Sequence, residues 1–380
     1  ACTLQARSPQ NRAPLTEIPA MEHEIYMRRC LELAAGGEGH VSPNPMVGCV
    51  IVHDGKIIGE GWHRRCGEAH AEVNAIGSVK EPELLRDSTL YVSLEPCCHW
   101  GKTPPCADLI LQSGIPRVVV GMADPFPKVA GGGIRRLRDA GVDVTVGVLE
   151  RECRELNRKF VIYHTKKRPY ILLKWAQTVD GYLDNNRPAS VPPAWMTGPV
   201  SRVLVHRMRA ASDAILTGTN TVERDDPSLT VRDVPGKNPL RIVLDRALRL
   251  SPDRKVFDGT APTLIYTLPE NVEKARTLHP GCEAEALDFG PGMEERLLDS
   301  LYRRQVQSLM VEGGAALLES LLRKGLWDEA NVFVSPLRVA DLPGGTTMRP
   351  LGIRAPEIPG RPVRTLEIDG VRYLQTRAFR

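Results

Sequence analysis

Short apolar segments typical of buried β-strands alternate with amphipathic helical segments along this chain, and the alternation begins twice. It runs first from residue 25 to residue 146, stops at the basic, proline-ended break Lys166–Pro169, and starts again at Tyr170. Strands that alternate with helices form layers in which the helices cover the sheet. The second series does not repeat the first. The chain therefore predicts two different α/β domains, the first a three-layer α/β/α domain.

The periodicity of apolar residues predicts where many of these elements lie. In the first half we predict strands at 46–52, 56–60, 89–94, 117–121 and 142–146, with helices at 25–35, 71–76, 107–113 and 134–140. In the second half we predict strands at 170–174, 213–217, 241–245, 263–267 and 308–311, with helices at 201–211 and 315–323. The predicted organisation is a loose leader at 1–20, a first domain at 21–167 and a second domain at 168–380.

Composition and charge restrict the class of partner. The net charge is +4 at pH 7 and aromatic residues make up 5% of the chain, without an interleaved basic stripe, which argues against nucleic-acid binding. No apolar run approaches the roughly 18 residues that cross a bilayer. Residues 1–20 lack the apolar core of a secretory signal. We expect a cytoplasmic protein that binds neither a membrane nor nucleic acid.

Cysteine spacing indicates a metal site rather than disulfides. Nine cysteines are an odd number for a disulfide framework, and Cys97, Cys98 and Cys106 lie close together in a long chain. His70 and Cys106 each stand where a helix is predicted to begin, and Cys97 follows a predicted strand. His70, Cys97 and Cys106 would provide three zinc ligands and leave a fourth position for water, which is the arrangement of catalytic zinc sites.

Glu72 stands two residues after His70, near the metal without having to bind it. This position suits a general acid/base that carries a proton from the attacking water to a leaving amine. The order H-x-E followed by P-C is the pattern of zinc-dependent nucleobase deaminases. The second cysteine follows after eight residues rather than two, so the spacing is unusual for that pattern.

Other interpretations of this cluster stay open at this point. His70 and the cysteines could be ordinary core residues. Cys98 or His99 could supply a fourth ligand and close a structural zinc module. A zinc deaminase could also edit nucleic-acid bases, although the modest net charge argues against that class. A fourth protein ligand would distinguish the structural module from an enzyme.

The second half has neither the G-x-G-x-x-G of a Rossmann domain nor a P-loop. Polar residues instead lie at the ends of predicted strands. Lys174 lies inside an apolar strand and needs a partner or a ligand to offset its burial. Glu312 is followed by Gly313 and Gly314 at a strand-to-helix turn, where backbone N–H groups can approach a phosphate.

Together these motifs resemble the bifunctional deaminase/reductase family of riboflavin biosynthesis, whose members share the long gap between the zinc cysteines. The segments that carry the resemblance are Ser42–Gly48, His70–Glu72, Glu95–Cys97, Lys102–Cys106, Asp124-Pro125, Gly131–Gly133 and, in the second half, roughly 169–335. The resemblance implies a cytidine-deaminase-like first domain and a dihydrofolate-reductase-like second domain.

The resemblance implies two successive reactions. The first is zinc-dependent hydrolytic deamination of a diaminopyrimidinone that carries a phosphoribosylamino group. The second is reduction of the ribosyl group of the resulting aminouracil to ribityl, with NADPH as the hydride donor. Zinc and NADPH are therefore the expected cofactors, a phosphorylated pyrimidine is the expected substrate, and a homo-oligomer, dimer or tetramer, is the expected assembly.

The resemblance also implies roles for individual residues. His70, Cys97 and Cys106 would bind zinc, and Glu72 would be the proton shuttle. Residues implied to contact the deaminase substrate are Asn44, His63, His99 and Lys102. Residues implied to bind the cofactor are Lys174, Ala176, Trp195, Thr197, Thr221, Asp225, Gly313 and Gly314. Residues implied to bind the reductase substrate are Arg209, Leu229, Thr230, Arg232 and Glu312, with the two arginines on its phosphate.

The sequence departs from the family pattern at three places. Phe126 stands where members commonly have an asparagine, two residues after Asp124. Pro193 replaces a serine that could touch a phosphate, within a stretch that is usually Gly-Glu-Ser and a spacer before Trp195. Leu337–Asp341 replaces a stretch of the Leu-Gly-Gly type. An alternative interpretation is therefore that only one half of the chain is active. Arg209 could also be an ordinary helix-surface arginine.

Overall fold

The computed structural model describes residues 20–100, 104–126, 130–185, 187, 191–344 and 352–378. They divide into two compact units, one of residues 20–36 and 46–156 and one of residues 37–45 and 157–378. The predicted leader lies outside the described residues except for Ala20, which begins the first helix. The functional partition at 167/168 stays a prediction. No helix in the described ranges has both the length and the apolar character needed to span a bilayer.

Five strands of the described chain form the sheet of the first unit, in the order β2-β1-β3-β4-β5. The strands are β1 (Gly48–His53), β2 (Lys56–Trp62), β3 (Thr89–Leu94), β4 (Arg117–Met122) and β5 (Asp143–Val146). The helices are α1 (Ala20–Ala35), α2 (Ala71–Ser78), α3 (Cys106–Gln112), α4 (Gly132–Asp139) and α5 (Glu150–Leu156). Strand β1 pairs antiparallel with β2 and β3, whereas β3, β4 and β5 are parallel.

Helices cover both faces of this sheet, which confirms the predicted three-layer architecture. Successive side chains of a strand point to opposite faces. Leu90 and Val92 of β3 face a core that includes Ala75 of α2 and Ile110 of α3. Tyr91 points the other way, where its ring lies 5.0 Å from that of Tyr26 on α1. All six residues of β3 are buried because the strand is covered on both faces.

Nine strands from the described part of the second unit form its main sheet, in the order β11-β10-β9-β8-β12-β6-β13-β16-β15. Its strands are β6 (Tyr170–Gln177), β8 (Ala214–Gly218), β9 (Leu240–Leu244), β10 (Thr263–Thr267), β11 (Glu283–Ala286), β12 (Ser308–Val311), β13 (Glu329–Val334), β15 (Arg364–Ile368) and β16 (Val371–Arg377). A separate antiparallel pair joins β7 (Tyr182–Asn185) to β14 (Gly352–Arg354). The sheet is parallel from β11 to β13 and antiparallel from β13 to β15.

Helices lie on both faces of this larger sheet as well. The helices of the second unit are α6 (Arg158–Lys166), α7 (Pro199–Ala210), α8 (Thr219–Asp225), α9 (Val272–Leu278), α10 (Met293–Arg303) and α11 (Ala315–Arg323). Leu173 of β6 shares a core with Leu301 of α10 and Leu318 of α11. Leu172 points to the opposite face, into a core with Val205 of α7. Two cores on two sheet faces are the expected result of parallel strands joined by helices.

Glycine in β2 determines how closely α2 can approach the sheet. A methyl group on Gly61 would lie 2.4 Å from the backbone nitrogen of Ala75 and 2.6 Å from the backbone oxygen of Ala71. Both atoms belong to the α2 backbone, which cannot move aside as a flexible side chain could. Gly61 therefore sets the distance at which α2 packs against the strand.

We predict that Gly61→Ala destabilises the first unit by about 2 to 3 kcal/mol, because overpacking against backbone forces α2 away from β2. The matched control is Gly77→Ala within α2, where an added methyl group meets open space. Alanine in a helix is favoured over glycine by roughly 0.5–1 kcal/mol, so the control should be neutral or stabilising. Urea unfolding of both variants measures the difference, and equal effects of the two substitutions would contradict the prediction.

Candidate functional site

Two helix starts and one strand end bring His70, Cys97 and Cys106 together. His70 is the residue before α2, Cys106 begins α3 behind Pro105, and Cys97 lies three residues beyond β3. The Nδ1 atom of His70 lies 3.6 Å from the Sγ of Cys97 and 3.3 Å from the Sγ of Cys106. The three ligand atoms all lie within 4.8 Å of one another. They converge on one point, as the sequence predicted.

The electrostatics of the cluster favour a negatively charged sulfur at Cys97. Hydrogen bonding from the Cys106 thiol and from the His70 ring lowers the pKa of the Cys97 thiol well below its ordinary value. The backbone N–H of Cys106 also donates to the Cys97 sulfur, at 3.3 Å. Contact with Cys97 raises the pKa of His70 in turn. A thiolate beside a helix N-terminus is ready to bind a cation.

The donor set fits zinc with an open coordination position. Imidazole nitrogen and thiolate sulfur are the ligands that zinc prefers, and three of them are typical of a catalytic rather than a structural site. Within the described residues, neither Cys98 nor His99 belongs to the converging group. His99 is exposed and Cys98 is half-buried, with its sulfur against Gly132. A four-ligand structural module therefore finds no support in this geometry.

Glu72 lies in the first turn of α2, two residues after His70, and it is only 3% exposed. Burial raises the pKa of its carboxyl to about 7, and the nearby Cys97 sulfur contributes to this rise. Glu72 also interacts with the side chain of Cys106. The group is thus placed beside the candidate metal ligands, and burial raises the pKa of its carboxyl more than the nearby His70 ring and Cys106 side chain lower it.

A second glutamate holds the strand end that carries Cys97. Glu95 is 4% exposed, and its carboxylate accepts four hydrogen bonds from backbone N–H groups at 2.9–3.2 Å. The four donors are Asp124, Gly131, Gly133 and Ile134. Two of them open α4, where the helix dipole favours a negative charge. The carboxylate therefore fixes the segment after β4 against the Glu95–Cys97 strand end.

The residues predicted to contact the deaminase substrate have different outcomes. His63 is buried, its ring centroid lies 5.5 Å from that of His70, and its Nδ1 lies 3.1 Å from the carbonyl oxygen of Ala69. His99 is exposed. Asn44 belongs to the segment 37–45, which is part of the second compact unit. Lys102 lies outside the described residues. The binding roles of all four stay predictions.

The second unit has a pocket of about 740 Å³ at the carboxyl ends of its central strands. Its walls include the end of β6, the turn after β8 and the turn after β12. The chain adds β8, β9, β10 and β11 on one side of β6. It then returns, so that β12 pairs between β8 and β6 and β13 pairs on the other side of β6, and the order in which strands are added reverses at this point. Ligands of open parallel sheets bind in the crevice outside the carboxyl ends of the strands at such a reversal. The pocket occupies the position at which this fold binds ligands.

Most residues predicted for the reductase half line this pocket. All the predicted cofactor residues do: Lys174, Ala176, Trp195, Thr197, Thr221, Asp225, Gly313 and Gly314. Of the predicted substrate residues, Arg209, Leu229 and Glu312 line it. Thr230 and Arg232 are not lining residues of the pocket; Thr230 accepts hydrogen bonds from Arg209 at its carbonyl oxygen and from Arg232 at its hydroxyl. The pocket thus collects the predicted residues, although their roles stay predictions.

A carboxylate between two cations forms the floor of the pocket. Arg209 donates to Glu312 through Nε at 2.7 Å and Nη2 at 3.0 Å, and Lys174 Nζ lies 3.5 Å from the same carboxylate. Burial alone would raise the pKa of Glu312, but the charges of Arg209 and Lys174 outweigh it and lower that pKa to about 2. Glu312 is thus the partner that offsets the partial burial of the Lys174 ammonium group. Arg209 is buried rather than a helix-surface residue.

The sequence analysis missed an ion-paired wall of the same pocket. Arg187 has a 2% exposed side chain, donates to Asp184 at 3.1 Å, and also pairs with Asp225. Its Nη1 donates to the carbonyl oxygen of Val191. No motif surrounds Arg187, so no sequence signal could have found it. Pro193, the departure from the family pattern, also lines the pocket.

Phe126, the departure in the first unit, follows β4. It is half-buried, and its backbone N–H donates to the carboxylate of Asp124 at 2.8 Å. Burial raises the pKa of Asp124 to about 6. The backbone of Phe126 thus closes a tight turn at this strand end, whichever surface its ring covers.

The chain combines a candidate three-ligand zinc site beside a buried glutamate with a second α/β unit that has a charged pocket at its strand ends. This combination is that of a bifunctional deaminase/reductase. Two family models match the corresponding halves. Residues 20–122 match the cytidine and deoxycytidylate deaminase zinc-binding region, and residues 169–372 match the RibD C-terminal domain. The chain belongs to the RibD family of riboflavin biosynthesis proteins.

Relatives match over most of their own length. The riboflavin biosynthesis protein RibD of Aquifex aeolicus is 44% identical over 334 residues, which cover 87% of this chain and 91% of the relative. A crystal structure of a diaminohydroxyphosphoribosylaminopyrimidine deaminase/5-amino-6-(5-phosphoribosylamino)uracil reductase from Thermotoga maritima is 36% identical, with a TM-score of 0.81 and coverage of 95% and 99%. Acinetobacter baumannii RibD is 31% identical, with a TM-score of 0.83 and coverage of 95% and 100%.

We predict that Glu312→Gln makes the protein about 3 kcal/mol less stable at pH 7 and that this difference disappears at low pH. The folded pKa of about 2 lies below the ordinary glutamate value of 4.5. The stabilisation is therefore complete above about pH 5 and is lost as the pH falls from there toward 2. Urea unfolding at pH 7, 4 and 3 measures it, and the difference should fall by more than half between pH 7 and pH 3. Glu319→Gln, at an exposed position of α11, is the control, and a pH-independent difference would contradict the prediction.

Proposed function

We propose that this chain catalyses two consecutive steps of riboflavin biosynthesis, a zinc-dependent deamination in the first unit and an NADPH-dependent reduction in the second. The observation that carries the proposal is the placement of buried Glu72 beside the converging His70, Cys97 and Cys106. Membership of the RibD family supports the same pair of reactions on a phosphoribosylamino pyrimidine.

In the deamination, this chain's residues hold the metal and move protons. His70, Cys97 and Cys106 would bind zinc, which when bound supplies the acidity that lets water act as a nucleophile near neutral pH. Glu72 accepts a proton from the attacking water and delivers it to the departing amine, so that water is consumed and ammonia is released. His63, buried against His70, would orient the pyrimidine together with His99 and Lys102.

In the reduction, the second unit orients the two reactants. NADPH supplies the hydride, which adds to C1 of the ribosyl group and opens the sugar ring to a ribityl chain when a proton is added to the ring oxygen. The proposed cofactor contacts come from the eight predicted cofactor residues that line the pocket, among them Lys174 and Gly314. Arg232 and Arg209 would bind the substrate phosphate. Two N–H donors of Arg209 are paired with Glu312, and this pair would hold the guanidinium in place.

The surroundings of the chain are also part of the proposal. We expect it to act in the cytoplasm, without nucleic acid, as a homo-dimer or homo-tetramer. Light scattering of the purified protein measures the assembly directly. A monomer at micromolar concentration would contradict that part without affecting either reaction.

We predict that NADPH is oxidised when the purified protein is given the diaminopyrimidinone substrate, and that removing zinc with a chelator stops it. The reason is that only the deaminated product should accept hydride. The deaminated aminouracil, added to the chelated protein, should restore NADPH oxidation. Absorbance at the NADPH band and an ammonia assay follow the two steps separately. Ammonia without NADPH oxidation would mean that only the first half is active, and NADPH oxidation of the diamino substrate after chelation would contradict the order.

We predict that Glu72→Gln lowers the rate of ammonia release by about 10²–10⁴-fold, because the amide cannot carry the proton. Bound zinc, measured by metal analysis, should stay at the level of the unmodified protein. Oxidation of NADPH with the deaminated aminouracil should be unchanged. Glu68→Gln, in the loop before His70, is an exposed control. Ordinary deaminase turnover in Glu72→Gln would remove Glu72 from the proposed mechanism.

A further inference from the structure

The tight turn between β15 and β16 contacts the start of α7. Its two central residues are Asp369 and Gly370, with φ of 54° and 69°. Positive φ at both positions is the geometry of the two-residue hairpin turn that Asp-Gly favours. The turn lies beyond residue 335, where the sequence analysis found no resemblance and predicted no functional residue.

The carboxylate of Asp369 acts as the cap of α7. Its Oδ2 accepts hydrogen bonds from the backbone N–H of Val200 at 2.6 Å and of Ser201 at 3.1 Å. The residue that precedes the helix, Gly198, provides no side-chain cap of its own. The first N–H groups of a helix have no partner within the helix, and a negative charge near them is favourable. Asp369 therefore supplies from a distant hairpin what a local Ser or Asp would normally supply.

Gly198 is shaped for this contact. A methyl group on Gly198 would lie 2.7 Å from both the Cβ and the Oδ2 of Asp369. The absence of a side chain thus lets the carboxylate reach the helix start. The cap and the glycine form one arrangement across 171 residues of chain, from position 198 to position 369.

The helix start that Asp369 holds continues directly into the rim of the pocket. Trp195, Met196 and Thr197 precede Gly198 and all line the pocket. The guanidinium of Arg202, in the first turn of α7, lies 5.0 Å from the Trp195 ring centroid. Trp195 is 71% exposed, so little packing other than this stack orients its ring.

The other end of α7 reaches the pocket floor. Arg209 lies in the last turn of the same helix and donates to Glu312. A displacement of α7 would therefore move the rim and the floor of the pocket together.

We infer that Asp369 is a positioning residue of the reductase site, which holds α7 and the Trp195–Thr197 rim where NADPH binds. The inference rests on the proposed reductase function of this pocket. Asp369 touches neither reactant and acts only through the helix start.

Asp369→Gly is the test variant, because glycine keeps the positive φ of the turn and removes only the carboxylate. Asp369→Asn keeps the turn and one acceptor oxygen, so it is the conservative rescue. Asp54→Gly is the matched control, since Asp54-Gly55 is the Asp-Gly turn of the β1–β2 hairpin, with φ of 45° and 71°. All three variants are made in the full chain.

We expect Asp369→Gly to raise the KM for NADPH about fivefold, the factor that corresponds to a lost helix cap, with kcat changed less than about twofold. The KM of Asp369→Asn for NADPH should lie between those of Asp369→Gly and the unmodified protein, and Asp54→Gly should leave this KM unchanged. A merely structural cap would lower the unfolding temperature without changing KM. An unchanged KM in Asp369→Gly therefore overturns the inference.

Hydrogen exchange of the 194–204 segment, followed by mass spectrometry, is a readout independent of catalysis. Faster exchange in Asp369→Gly than in Asp369→Asn is expected, and equal exchange in both and in the unmodified protein overturns the inference. If the unmodified protein oxidised no NADPH, the proposed function would fail. The exchange result would still decide whether Asp369 holds the pocket rim.

Discussion

Parallel pairing of strands is the constraint on which both candidate sites depend. In a parallel arrangement each strand ends at the same edge of the sheet, and the following helix begins there. In the first unit, β3 ends just before Cys97 and α3 begins at Cys106. In the second unit, β12 ends just before Glu312 and α11 begins after Gly314. Free helix N–H groups and strand-end side chains are thereby brought to one edge of each sheet.

Buried charge at these edges is stabilised by specific partners. Two carboxylates show two different solutions. The carboxylate of Glu95 accepts hydrogen bonds from backbone N–H groups, including those at the start of α4, whereas Glu312 is held between the cations of Arg209 and Lys174. A buried charge without such partners would cost several kcal/mol. At Glu72, burial outweighs the lowering effects of His70, of the Cys106 side chain and of a backbone N–H, so the pKa of its carboxyl is raised. The contrast distinguishes Glu72, which is proposed to move protons, from two carboxylates that are held by specific partners.

Long-range contacts organise the second pocket to a degree that local sequence does not suggest. Arg187 pairs with Asp225 from a different part of the chain, and Asp369 caps α7 from the last hairpin. The Asp369 contact replaces the local side-chain cap that α7 lacks. Of the departures from the family pattern, Pro193 lines this pocket.

Helices and strands whose apolar residues recur with a clear helical or strand period were predictable from the sequence. Strands β3 and β10 and helix α11 lie where the periodicity predicted them, because burial on one or both faces leaves an apolar signature. Helix α10, strands β13 and β16 and the pair of β7 and β14 were not predicted. Strand β13 reads Glu-Ala-Asn-Val-Phe-Val and carries buried polar residues whose partners lie on β6 and β16, so its strand character depends on neighbours.

The candidate zinc ligands and the neighbouring glutamate could be proposed from residue type and spacing alone, since few side chains bind zinc and a helix start places them in predictable positions. The sequence also indicated the fold class of both halves and which strand ends carry the polar residues. Only the tertiary structure decided that Cys98 and His99 stay outside the ligand group, that Glu312 pairs with both Arg209 and Lys174, and that Asp369 caps α7. The physical reason is distance along the chain: local periodicity records whether a residue is buried, whereas the identity of its partner depends on how remote segments pack.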